Sequence, residues 1–179
     1  MWDSMKRKRS VRNRRARRCL FLILLALLAL LLIWPRTVHL EGLVSPYAIL
    51  VDADSGEAVA EKEADVSIYP ASMTKVMTAL LALEANPDLE QPVTLPEDIF
   101  PELRAEGASM AGFRPGETAT VRDLLYGALL PSGAECCEAL AREVSGSEEA
   151  FVELMNQKAA ELGMRSTHFC NPTGLHDPE

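Results

Sequence analysis

Pro70-Ala71-Ser72-Met73-Thr74-Lys75, followed at once by Val76-Met77-Thr78-Ala79-Leu80-Leu81-Ala82-Leu83-Glu84, is the segment from which the rest of the chain is read. A proline can enter a helix but cannot continue one backward, so a helix is expected to start near Ser72 and to end near Asn86-Pro87. Three residues apart on such a helix, Ser72 and Lys75 share a face. A serine hydroxyl is a weak nucleophile until a base takes its proton. A lysine one turn along can be that base once burial or a nearby cation favours its neutral amine. The helix start adds a positive dipole end and free backbone N–H groups, that of Ser72 included, which suit an oxyanion. A bare S-x-x-K arises by chance roughly once in a few hundred positions. The competing reading is a surface serine capping a helix that carries a solvated lysine.

Upstream of this segment, Ala48-Ile49-Leu50-Val51-Asp52 is strand-like, Asp54-Ser55-Gly56 is a turn, and Glu57-Ala58-Val59-Ala60-Glu61 alternates, which together predict a hairpin. Downstream, Gln91 to Pro101 is short and proline-punctuated, with Val93-Thr94-Leu95 as a small strand, and Gly107 to Gly116 reads as loop. Thr120-Val121-Arg122-Asp123 has the pattern of a helix cap before the apolar helix Leu124 to Leu130, which Pro131-Ser132-Gly133 breaks. Helices follow from about Ala134 to Val144 and from about Ser147 to Leu162, with Gly163 as a C-terminal cap. The tail from Ser166 to Glu179 carries turn signals and no closing element. Two strands and four or five helices leave a sheet too narrow to cover its own edges, so last strands are expected beyond Glu179. No internal repeat is present.

The net charge of -8 hides two opposite parts of the 179-residue chain. Nine Lys and Arg lie within Lys6 to Arg18, whereas from Pro35 onward 9 basic residues face 25 acidic ones, which argues against a nucleic-acid face there. The basic run, residues 1–18, leads into sixteen uncharged apolar residues, Cys19 to Trp34, that would span roughly 24 Å as a helix. A positive flank held in the cytoplasm puts everything after Trp34 outside the cell. Trp34-Pro35-Arg36 and His39-Leu40-Glu41 are poor cleavage sites, so residues 19–34 are read as an uncleaved signal anchor in the cell membrane and residues 35–46 as a linker. Of the four cysteines, Cys136 and Cys137 are neighbours and pair poorly with each other. One of them could bond Cys170 in an oxidising exterior, or all three could be thiols. Nothing has metal-ligand spacing.

Three stretches resemble one family: the hairpin running to Pro70 through Lys75, the segment Gly107 to Gly133 with Leu130-Pro131-Ser132-Gly133, and Gly163-Met164 through His168-Phe169 to Asn171-Pro172-Thr173-Gly174-Leu175. They look like the serine D-alanyl-D-alanine carboxypeptidases, the low-molecular-mass penicillin-binding proteins that trim peptidoglycan stem peptides. S-x-x-K together with S-D-N and K-T-G is the signature of that group and of the related class A β-lactamases. The resemblance implies an α/β (α+β) fold of the β-lactamase/DD-peptidase type, an antiparallel sheet with a helical cluster, of which residues 47–179 would be the N-terminal portion.

By this resemblance Ser72 would attack the carbonyl between two terminal D-alanines, Lys75 would accept its proton, and Ser132 would relay a proton between lysine and leaving amine. For Ser132 the alternative is a cap on the next helix. Ala134 stands where the family usually has asparagine, and the Lys-Thr-Gly strand that would bind the terminal carboxylate is absent. The implied partners are a stem peptide ending in D-Ala-D-Ala and β-lactams as inhibitors, with no metal or organic cofactor. A catalytically weak wall-binding relative and a class A-like β-lactamase are the alternatives. His168, His176 and Asp177 are not assigned a triad, since the lysine already fills the base role and the tail reads as structural.

Overall fold

The computed structural model describes residues 42–178, together with Ile23, Leu25, Val38 and Leu40. The basic arm lies outside the described residues, as does the apolar segment 19–34 but for Ile23 and Leu25. Among the described residues no helix is long and apolar enough to cross a membrane. The chain divides into two compact units, residues 1–66 and 67–179.

In the first unit, β1 (Ala48–Val51) pairs antiparallel with β2 (Ala58–Lys62), Ala48 opposite Lys62 and Leu50 opposite Ala60. The turn between them closes on Asp52, whose Oδ1 accepts the backbone N–H groups of Asp54 (3.1 Å) and Ser55 (2.8 Å). Gly56 completes it at φ +73°, a conformation that glycine adopts without a Cβ clash.

The second unit begins with a single 3-10 turn, Ala71–Thr74, that runs into α1 (Lys75–Ala85). The α-helix therefore starts at Lys75 rather than near Ser72. Ala71 sits in the left-handed region at φ +50°, and the tighter turn carries the chain from there into the regular helix. Helix α1 ends at Asn86, whose Nδ2 donates to the Ala82 carbonyl just before Pro87.

β3 (Pro92–Thr94) pairs antiparallel with β4 (Thr118–Thr120), and α2 (Ile99–Ala105) lies between them in sequence. Neither α2 nor β4 was expected from the sequence. Pro101 punctuates the segment, but it occupies the first turn of α2, where its missing N–H would have no helical partner anyway.

Helix α3 (Val121–Leu129) starts at a capping box in which Thr120 Oγ1 accepts the Asp123 N–H (3.1 Å) and Asp123 Oδ2 accepts the Thr120 N–H (3.2 Å). Then come α4 (Ala134–Ser145), closed by Gly146 at φ +85°, and α5 (Glu148–Glu161), capped by Ser147 Oγ. Helix α4 is the centre of the unit, buried at every position from Ala134 to Ala141. One side of the core joins Ala79 and Ala82 of α1 to Leu124 and Ala128 of α3 and to Cys136 and Leu140 of α4. The other joins Met77 and Leu81 of α1 to Ala141, Phe151, Met155 and Phe169. Small residues on α1 and α4 let these helices approach closely, which sets the start of α1 beside the start of α4.

Candidate active site

The turn before α1 leaves Ser72 exposed, while the first residue of the helix, Lys75, is 4% exposed. Ser72 caps no helix and Lys75 is not solvated, so the surface reading of the pair does not hold. The Lys75 Nζ lies 3.3 Å from Ser72 Oγ and donates a 2.5 Å hydrogen bond to the carbonyl of Thr173. Ser132 Oγ donates to Ser72 Oγ at 2.8 Å. One exposed hydroxyl thus receives a second hydroxyl and a buried amine from positions 60 and 3 residues away. Among the described residues no backbone acceptor takes the Ser72 N–H.

Burial pushes the Lys75 amine below its ordinary value; Cys137 and Glu135 on α4 oppose this to a smaller degree. Burial likewise raises the Cys137 thiol to about 12, against the opposing effect of Lys75. Glu135 is fully buried at the head of α4, and its Oε1 accepts the Gly112 N–H at 2.8 Å.

Ser132 holds a left-handed backbone at φ +65°, which costs a non-glycine residue of order 1 kcal/mol. The residues after it allow no other path. Gly133 donates to the Gly127 carbonyl (2.8 Å) and Ala134 to the Ser109 carbonyl (2.8 Å), and a Cβ on Gly133 would lie 2.6 Å from that of Ala111. The N-cap of α4 is Gly133, with no side-chain bond, so Ser132 does not act as a cap. Ala134 is buried at the first position of α4 and presents no amide.

Of the other residues weighed from the sequence, His168 is exposed and the His176 ring stands edge-on to Tyr69 at 4.8 Å. Neither bonds Ser72 among the described residues. Cys136 and Cys137 are buried thiols, bonded neither to each other nor to Cys170. Thr173 was missed. Its carbonyl completes the lysine's surroundings from 98 residues away, and the only local signal was the turn pattern Asn-Pro-Thr-Gly.

The family model for D-alanyl-D-alanine carboxypeptidase matches residues 36–179. The chain belongs to this family. It is 40% identical over 128 residues to the D-alanyl-D-alanine carboxypeptidase DacF of Bacillus subtilis, covering 72% of this chain and 33% of that protein. It is 38% identical over 151 residues to DacC of Escherichia coli, covering 80% of this chain and 37% of that one. The crystal structure of penicillin binding protein 6B from Escherichia coli superposes with a TM-score of 0.73 at 29% identity, covering 80% of this chain and 47% of the other. The family member described here therefore spans about a third of the length of these curated relatives. Its mixed α/β fold, with small antiparallel sheets and a helical cluster, is that of the DD-peptidases.

Proposed function

We propose that the protein is a serine D-Ala-D-Ala carboxypeptidase that removes the terminal D-alanine from peptidoglycan stem peptides through an acyl-enzyme on Ser72. What carries this reading is the exposed Ser72 hydroxyl lying between Ser132 Oγ and a buried amine whose proton affinity is lowered. With the amine neutral, the Ser72 hydroxyl donates to the Nζ lone pair. Lys75 takes the proton as Ser72 Oγ bonds to the carbonyl carbon, and the negative charge moves to the carbonyl oxygen beside the Ser72 N–H. On collapse the C–N bond breaks, and the leaving amine of D-alanine receives the proton of Lys75 through Ser132. Water, losing a proton to Lys75, then cleaves the ester and restores Ser72.

β-Lactams present a strained amide to the same hydroxyl, and a solved relative is described as a penicillin binding protein. The basic run ahead of the apolar segment 19–34 supports a signal anchor in the cell membrane with the catalytic part outside. A labelled penicillin added to the full-length protein is expected to label it covalently in a 1:1 ratio and to leave Ser72→Ala unlabelled; label retained in that variant overturns the assignment.

Ala134, buried where the family usually carries asparagine, favours a second reading, a wall-binding relative of weak or no activity. A folded, unlabelled wild-type protein would support it. Fast turnover of the penicillin would instead indicate a β-lactamase.

A further inference from the structure

We propose that Asn171 is a positioning residue for Lys75: it folds the loop 171–175 so that the Thr173 carbonyl takes one N–H of the amine and leaves the lone pair facing Ser72. This rests on the assignment of Ser72 and Lys75 as nucleophile and base.

The loop is closed by one side chain. Asn171 Oδ1 accepts the N–H of Thr173 (3.1 Å), the hydroxyl of Thr173 (2.9 Å) and the N–H of Gly174 (2.7 Å), while its Nδ2 donates to the Leu175 carbonyl (3.0 Å). Both ends of the amide are engaged, so no other residue type of that size supplies the set. The loop so formed is fastened to the start of α1 at three points. The Thr173 carbonyl meets Lys75 Nζ, the Pro172 carbonyl accepts the hydroxyl of Thr78 (2.6 Å), and Gly174 lies so close to Ala71 that a Cβ there would be 2.0 Å from its carbonyl oxygen.

An uncharged amine has two N–H bonds and one lone pair, and rotation about Cε–Nζ decides where the lone pair points. Among the described residues the amine's hydrogen-bonding neighbours are the Thr173 carbonyl and Ser72 Oγ. An N–H committed to the carbonyl aims the remaining positions at Ser72. The same loop covers the amine, with Pro172 and Thr173 buried, and so maintains the desolvation that favours its neutral form. The titratable groups acting on the amine from α4, Glu135 and Cys137, are untouched by changes in the loop.

The test is the second-order rate of acylation by labelled penicillin as a function of pH, measured on the full-length protein alongside thermal unfolding. Asn171→Ala is expected to lower the rate about 100-fold and to move the pH midpoint upward as water reaches the amine. Thr78→Val, which removes only the bond to Pro172, moves the midpoint the same way by less, and it decides the matter if Asn171→Ala does not fold. Asn156→Ala is the control. Asn156 holds Phe169, farther up the same tail, through bonds of 2.8 and 2.9 Å, so its loss lowers the unfolding temperature and leaves the midpoint in place. Wild-type midpoints in folded Asn171→Ala and Thr78→Val, or an equal shift in Asn156→Ala, overturn the proposal while leaving the Ser72 assignment standing. Label that survives Ser72→Ala removes both.

Discussion

At Lys75 burial and charge pull in opposite directions. Removing the amine from water favours its neutral form, whereas Glu135 nearby favours the ammonium, and burial is the larger effect. Acylation that needs the neutral amine must therefore rise with pH through a midpoint below that of an ordinary lysine. Lys75→Arg separates charge from basicity, because guanidinium stays protonated and cannot accept the serine proton. We expect Lys75→Arg and Lys75→Ala to lose acylation about 10²- to 10⁴-fold, measured with labelled penicillin, while Lys75→Ala keeps a wild-type circular dichroism spectrum. Wild-type rates in either would refute the base assignment. Ser132, held left-handed, carries strain at a hydroxyl that reaches Ser72 from 60 residues away. Strained backbone persists where the surrounding structure over-determines it, and the backbone bonds of Gly133 and Ala134 just after Ser132 do so here.

Among the elements, α3 and α4 set the site through the closeness of their packing. Gly127 lies within α3, where helix propensity alone favours alanine by about 1 kcal/mol. Contact reverses that sign. A Cβ at Gly127 would sit 2.5 Å from the sulfur of fully buried Cys136 and 3.1 Å from the Phe113 ring. Gly127→Ala is therefore expected to destabilise the protein by about 1–3 kcal/mol, as overpacking does, seen as a lower urea midpoint with an unchanged slope. Gain of stability would show that the helices part more easily than their buried surfaces imply. Because the Gly127 carbonyl also accepts the Gly133 N–H, the strain would pass to the Ser132 turn and lower acylation too.

Across the whole molecule, Glu138 of α4 records how acidic the chain is. It is 5% exposed, one carboxyl oxygen has no partner, and it lines a cavity of about 190 Å³ with Glu102, Glu106 and Glu148. Burial first, then Glu148, pushes it from 4.5 to about 8, against the opposing effect of Arg142. The folded protein holds this proton through a pH range where the unfolded chain has lost it, so stability falls as pH rises from about 4.5 to about 8. Lys75, depressed instead, adds stability with rising pH between its lowered value and 10.5. Glu138→Gln isolates the first effect. Urea unfolding at pH 5 and pH 8 should show a fall of a few kcal/mol in the wild type that is clearly smaller in the variant, where only the half-buried Glu148, also raised, still contributes to it; equal falls would place the ionised carboxylate in water.

Much of this organisation is local and so was legible in the amino acids. The hairpin follows from Asp52 and Gly56, α3 from the Thr120 and Asp123 cap, α4 and α5 from their apolar spacing, and the pairing of Ser72 with Lys75 from one helical turn. Caps, turns and periodicity act over a few residues, which is why they can be read without coordinates. Helix α2 and strand β4 were not legible, because a proline in a first turn and a three-residue strand leave no distinct pattern. What the sequence by itself determined was which hydroxyls and which amine are available and the family the chain resembles. The tertiary structure alone decided that Ser132 reaches Ser72, that the amine is buried, and that Thr173 covers it, because desolvation and hydrogen bonds spanning 60 and 98 residues exist only once helix faces have chosen their partners.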